Sequence, residues 1–341
     1  MFGDIPPGWA FGRMGRPAMR RPNPYSGLVD GLSAGELELL HDAVAERRLR
    51  EEAGLGTLAE AAELYRPRPA CPSCGEEAPW RDGLAPSGAQ RWRCPSCGAR
   101  FTSLTGTVLE NRKKPPATWV DFIRLTTFAV PLDACAETCR ISRQTTWEWH
   151  HRLFAAVDGC QDRIVLRGRV WIDETYANDT DLSHGHGQAR KRGLSRQKIC
   201  IAVGIDARKE PVAVVCGHGK PSSARIRKAV KARVAGGSTL VHDRGRAHNA
   251  LVRENSLEDE SYKADVRDPA YLEAMALVNN LCSWIKRYLW RFTGMDPANL
   301  RSYLNLYVYL FRVKRDDERW PGIARAVRHP LMTGARFRSS T

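Results

Sequence analysis

Two strand-like runs in this chain each end in an aspartate: Val170-Trp171-Ile172-Asp173 and Thr239-Leu240-Val241-His242-Asp243. Both are short and rich in β-branched or aromatic residues, which marks them as buried strands. A carboxylate at the mouth of a buried strand is unfavourable unless something offsets its charge. Two such carboxylates on neighbouring strands would share a divalent metal. A single aspartate in that position more commonly starts a turn, so the metal reading needs support from the rest of the chain.

A second set of residues has a different chemistry. Cys71-Pro-Ser-Cys74 and Cys94-Pro-Ser-Cys97 are separated by nineteen residues between the inner cysteines. Matched pairs of this kind are the pattern of a four-thiolate zinc ribbon. Gly75 and Gly98 follow the pairs and let backbone N–H groups approach the thiolates. Gln90 to Arg93 reads as a strand entering the second knuckle, and Phe101 to Leu104 as the strand leaving it. The other six of the ten cysteines are scattered, which is not a secreted disulfide framework and suits a reducing compartment.

Helices are expected around these groups. Ser33 and Glu36 form a capping-box pattern ahead of a helix to Glu52, and Thr57 with Glu60 repeats the signal before a shorter one ending near Tyr65. Trp119, Phe122, Ile123, Leu125 and Phe128 fit one apolar helix. Leu132 to Cys139, a turn through Arg140-Ile141-Ser142, and a helix beginning Arg143-Gln144-Thr145-Thr146 make a helix-turn-helix. Those four residues are of types that reach base edges or phosphates. The charge points the same way: +15 over 341 residues, with a pI near 9.6, favours a polyanionic partner. Arg190, Lys191, Arg192, Arg196 and Lys198, then Arg225, Arg227, Lys228, Lys231 and Arg233, read as a phosphate track. His184 and His186 lie in a Gly-rich stretch best read as a loop. No apolar run is long enough to cross a membrane, and no secretory signal is visible.

From Gly168 onward the pattern is three strands (169–175, 199–206, 211–216), a helix over 222–234, a strand over 238–242, a further strand at Ser261 to Ala264, and a long helix from Pro269 to Phe292. This is the order of a ribonuclease-H-like α/β domain with a mixed five-stranded sheet, in which the first and fourth strands are neighbours. Asp173 and Asp243 would then share one end of the sheet. Glu273, Asn279, Asn280 and Lys286 lie on the helix that follows.

Trp171-Ile-Asp-Glu-Thr-Tyr176, the basic stretch Arg190 to Gly193 with Lys198, Asn279 to Lys286, Arg291 to Gly294 and Leu300 to Tyr303 together resemble the ISXO2-like insertion-sequence transposases, over roughly residues 68 to 315. The resemblance implies a metal triad of Asp173, Asp243 and Asn279, with Lys286 seven residues beyond. Family members with Glu in the third place often carry a His before the Lys, where this chain has Cys282. Glu273 and Glu174 are the rival third ligands; the first lies off the Asn279 face and the second points to the other side of its strand from Asp173. The implied activity is DNA transposition: binding of element ends, then strand cleavage and transfer with Mg2+ or Mn2+, two ions about 4 Å apart activating the attacking oxygen and stabilising the leaving one. Expected partners are double-stranded DNA and further copies of the chain, in the cytoplasm with the nucleoid. A DNA-binding descendant without catalysis and a ribonuclease-H-like nuclease without strand transfer are the other readings. The expected organisation is a disordered lead (1–24), a helical segment (25–66), a zinc ribbon (67–106), a helix-turn-helix region (115–160), the catalytic domain (165–315) and a basic tail (316–341).

Overall fold

The computed structural model describes residues 23–53, 63, 66–86, 88–107, 109–110, 114, 116–179, 198–292 and 294–315. The expected helix ending near Tyr65, the basic group Arg190, Lys191, Arg192 and Arg196, the pair His184 and His186, and the tail 316–341 all lie outside the described residues. The chain divides into two units, residues 1–45 and 46–341.

The first unit contains α1 (Ser26–Asp30) and most of α2 (Ala34–Ala53). The capping box forms as its residue types require. Glu36 Oε2 accepts from the Ser33 backbone at 2.8 Å, and Ser33 Oγ accepts from the Glu36 backbone at 3.4 Å.

The second unit begins with a three-stranded antiparallel sheet, β1 (Trp80–Leu84), β2 (Gln90–Arg93) and β3 (Arg100–Thr102). The strand leaving the second knuckle is thus shorter than the expected run to Leu104, and β1 had no counterpart in the pattern. A small core of Cys71, Trp92, Cys94 and Phe101 holds these strands together, and the Trp92 indole donates to Ser103 Oγ at 2.9 Å.

Three helices follow: α3 (Pro116–Thr127), α4 (Leu132–Thr138) and α5 (Arg143–Val157). Trp119, Phe122 and Trp149 pack ring to ring at 4.9–5.6 Å between α3 and α5. Ser142 caps α5, its side chain accepting from the Thr145 N–H at 3.1 Å.

The larger sheet contains β4 (Arg169–Asn178), β5 (Lys198–Asp206), β6 (Pro211–His218), β7 (Thr239–His242) and β8 (Glu258–Ser261), in the order β6-β5-β4-β7-β8. The first three strands are antiparallel; β4, β7 and β8 run parallel. Order and direction together are those of a ribonuclease-H-like α/β domain. Residues 199–206 of β5 are all buried, which their near-continuous apolar run anticipates. The fifth strand lies three residues upstream of its expected place at 261–264. It is an edge strand carrying Glu258, Asp259 and Glu260, and charge on an edge discourages pairing with another chain. Those acids hid it from a reading based on apolar runs.

The connections are helical. α6 (Ser223–Val230), extended by a 3₁₀ turn (Lys231–Arg233), joins β6 to β7, and α7 (Asn249–Glu254) joins β7 to β8. α8 (Pro269–Trp290) packs on β4, and α9 (Leu300–Arg315) packs on β6 and on α5. An aromatic cluster of Phe154, Tyr288, Phe292, Tyr303 and Tyr309 fills the junction of α5, α8 and α9.

Candidate active site

The parallel register sets the geometry of the site. Arg169, Val170 and Trp171 of β4 stand opposite Thr239, Leu240 and Val241 of β7. Two residues further along, that register brings Asp173 level with Asp243 at the same sheet edge. Side chains alternate along a strand, so Asp173 shares a face with Trp171. The Trp171 indole donates to the Ala274 carbonyl of α8 at 2.7 Å; the Asp173 face is therefore the one α8 covers.

Burial pushes the Asp173 carboxyl up to about 6. Its Oδ1 accepts from the Glu174 N–H at 2.8 Å, which opposes the rise, while the charges of Glu174 and Asp243 add to it. A buried carboxylate facing a second carboxylate is a charge arrangement a cation relieves. The turn after Asp243 holds it closely: Arg244 adopts a left-handed φ of 61°, and the Gly245 N–H donates to Asp243 Oδ1 at 2.9 Å.

On α8 the residues facing this edge form a stripe. Tyr271 and Cys282 both feel the Asp173 charge, although burial is the larger cause of the rise in each. At about 100° per residue, Tyr271, Met275, Asn279, Cys282 and Lys286 fall within about 80° of arc. Asn279 is half-buried between Met275 and Cys282, and Lys286 is exposed. Glu273 is exposed, about 120° beyond the edge of that stripe. Glu174 packs elsewhere, its Oε1 lying 3.0 Å from His248 Nε2.

Sequence reasoning missed His242 and His248, which flank Asp243 and are buried. The only signal was their spacing around that aspartate. The neighbouring carboxylates of Glu174, Asp243 and Asp173 hold the His248 imidazole above its ordinary pKa, outweighing a burial effect that would lower it.

The four cysteines Cys71, Cys74, Cys94 and Cys97 converge, with all Sγ atoms within 4.8 Å of one another. The Cys71–Cys97 and Cys74–Cys94 sulfurs are 3.6 and 3.5 Å apart. Both knuckles repeat one backbone pattern, Gly75 N–H to the Cys71 carbonyl and Gly98 N–H to the Cys94 carbonyl, with φ of 82° and 70° at the glycines.

Among the residues expected to meet DNA, Arg143 and Gln144 are exposed and Thr145 is half-buried. Arg143 is held by Asp133 at 2.6 Å. Thr146 is a correction: it is fully buried, and its hydroxyl donates to the Ser142 carbonyl at 3.0 Å, so it cannot reach a nucleic acid. Lys198 is half-buried at the start of β5. In the second basic group most side chains have partners within the protein, and Lys228 is exposed. Arg225 donates to backbone carbonyls of Cys216 and His218, Arg227 and Lys231 pair with Glu254, and Arg233 pairs with Asp162.

No described helix is long and apolar enough to cross a membrane. A comparison with curated proteins gave no match. Two similar solved structures are the Mos1 mariner paired end complex with Mn, at 14% identity over 60% of this chain and 79% of that one with a TM-score of 0.21, and a pre-cleavage Mos1 transpososome, at 10% identity over 67% and 83% with a TM-score of 0.19. Superposition at that level supports no inference about this chain. The family comparison is specific: the ISXO2-like transposase domain matches residues 165–312, the segment that holds β4 to β8 and both aspartates. Over those residues the chain is similar to the ISXO2-like transposase domain.

Proposed function

We propose that this chain is a DNA transposase that binds the ends of its element and cleaves and joins strands with divalent metal at the Asp173–Asp243 edge. The observation that carries the reading is the β4–β7 register, which, continued two residues past its last pair, sets Asp173 level with Asp243 at one end of the sheet. Asp173 and Asp243 supply the oxygen ligands that Mg2+ or Mn2+ prefers, and the Asn279 amide offers a neutral carbonyl. When bound, the cations polarise the scissile phosphate and lower the pKa of the attacking hydroxyl. Lys286, two turns beyond Asn279 on the same stripe, stays exposed to hold a phosphate.

The amino-terminal part of the second unit serves DNA binding in this reading. The sulfur separations suit a structural Zn2+, since four thiolates at about 2.3 Å from a tetrahedral ion stand about 3.8 Å apart. The ribbon spans residues 67–106 and the helix-turn-helix 115–160, with Arg143, Gln144 and Thr145 at the DNA-facing start of α5. Arg190, Lys191, Arg192 and Lys198, all within the sequence of the catalytic domain, 165–315, add phosphate contacts in this reading. The active complex pairs two ends and so contains more than one copy of the chain, in the cytoplasm with the nucleoid.

Joining of a labelled element end to a supercoiled plasmid in Mg2+ tests the reading. Joined product is expected. Cleaved ends without joining would mean a nuclease, and bound but intact DNA a binding protein; either outcome rejects the proposal.

A further inference from the structure

Behind Asp243 lies a group of side chains that strand transfer does not use. His242 ends β7 and His248 caps α7; the two imidazoles are 1% and 0% exposed. Their Nδ1 atoms face each other at 3.3 Å. The outer nitrogen of each ring meets a carboxylate: His242 Nε2 lies 3.0 Å from Asp259 Oδ1, and His248 Nε2 lies 3.0 Å from Glu174 Oε1. The second contact is an ion-pair distance without hydrogen-bond alignment, and neither of its atoms has another hydrogen-bond partner.

Carboxylates on both outer nitrogens favour the Nε2–H tautomer in both rings. Each Nδ1 then presents a lone pair, and two lone pairs oppose one another in a buried space. A metal ion between them, or a proton held on one Nδ1 and shared with the other, resolves that conflict. A third ligand is at hand: Asp243 Oδ1 is 3.9 Å from His248 Nδ1, and the ligand atoms of His242, Asp243 and His248 all lie within 4.8 Å of one another. Gly245 keeps the space between them clear, because a Cβ there would stand 2.9 Å from Asp243 Oδ1 and 3.3 Å from His248 Nδ1.

We infer that His242, His248 and Asp243 form a third cation site, separate from the four cysteines and built for a zinc-class ion. Two imidazole nitrogens at about 2.0–2.1 Å from a tetrahedral zinc stand about 3.4 Å apart, close to the spacing present here. Imidazole donors suit zinc, cobalt or nickel, whereas magnesium takes oxygen ligands. Histidines that turn their second nitrogen to a carboxylate are the usual support of such sites. A cation here ties the end of β7 to the start of α7 and, through Asp259 and Glu174, to β8 and β4. Asp243 would be fixed from behind by this ion. The site needs no step of strand transfer, so it goes beyond the transposase reading and shares only Asp243 with it. The competing occupant is a proton, with His248 as an imidazolium donating to His242.

Metal content and cobalt spectra of the full chain decide between them. Wild-type protein is expected to hold one zinc equivalent more than the His242→Gln and His248→Gln variants. Its extra cobalt equivalent should give weak visible bands without the intense thiolate charge-transfer absorption of a four-cysteine site. Asp259 is half-exposed, so Asp259→Ala tests the site without emptying the core. It should weaken the extra zinc roughly 10- to 100-fold. Equal zinc content in wild type and the histidine variants overturns the proposal, as does unchanged zinc affinity in Asp259→Ala. If the glutamine variants fail to fold, the Asp259→Ala affinity and the wild-type cobalt spectrum decide. DNA joining is read separately, so loss of the transposase reading leaves this result standing, and the reverse.

Discussion

Replacing Asp173 with asparagine should stabilise the magnesium-free protein at pH 8 and change it little at pH 4. The Asp173 carboxyl is pushed up from 3.8 to about 6, by burial first and then by the charges of Glu174 and Asp243. An acid whose pKa is raised on folding holds, in the native state, a proton that the unfolded chain has released. Its ionisation therefore opposes folding. That cost is small near pH 4, grows between pH 4 and 6, and is complete above pH 6. About two pKa units at 1.36 kcal/mol each give about 3 kcal/mol as an upper bound. Asparagine carries no charge and keeps an oxygen to accept from the Glu174 N–H, now 2.8 Å from Asp173 Oδ1. Urea denaturation of both proteins at the two pH values, with unchanged m-values, measures the difference. In a second arm, Mg2+ should raise the stability of the wild type and not of the variant. An equal loss of stability at both pH values would refute the reasoning, because it would mean that Asp173 contributes a structural contact and no charge strain.

Other consequences concern residues away from the two aspartates. Asn279→Ala should lower Mg2+-dependent DNA cleavage by tenfold or more, on the order of 1.4 kcal/mol in the barrier, while Glu273→Ala stays within about twofold of wild type; the reverse ranking would move the third ligand to Glu273. Burial and the neighbouring His151 push the His150 imidazole down to about 3, and neither of its ring nitrogens has a partner. A base depressed in this way loses stability as pH falls below its unfolded value near 6.5, by about 2 kcal/mol at pH 5. His150→Leu should flatten that slope in denaturation between pH 7 and 5, and an unchanged slope would contradict the assignment. Removing metal from Cys71, Cys74, Cys94 and Cys97 should open β1 to β3, whose core is only four side chains. Hydrogen exchange should then rise across residues 90–102 and stay slow across 199–206.

The two halves of the site were unequally legible. Asp173 and Asp243 stand out because each ends a β-branched run, and parallel pairing of those runs levels them. Asn279 and Lys286 came from family resemblance alone, since on a helix wheel they read as a solvated face; the stripe with Cys282 and Tyr271 exists only once α8 lies on β4. The histidines were missed for a related reason. His242 and His248 are six residues apart across a turn whose left-handed Arg244 brings them together, and no periodic pattern encodes that contact. Thr146 shows the opposite failure. Its residue type suits DNA, but its hydroxyl turns back onto the Ser142 carbonyl in the first turn of α5. The basic residues of α6 declare their charge in the sequence and conceal their partners, because Glu254 reaches Arg227 and Lys231 only after α7 folds back.

The central claim is that Asp173 and Asp243 jointly support metal-dependent strand cleavage. The most direct measurement is cleavage of a cognate DNA end in Mg2+ by the wild type, Asp173→Ala and Asp243→Ala, with DNA binding measured in parallel. Wild-type protein should cleave, and each variant should bind the end yet fall to background. Full cleavage by either variant would contradict the account.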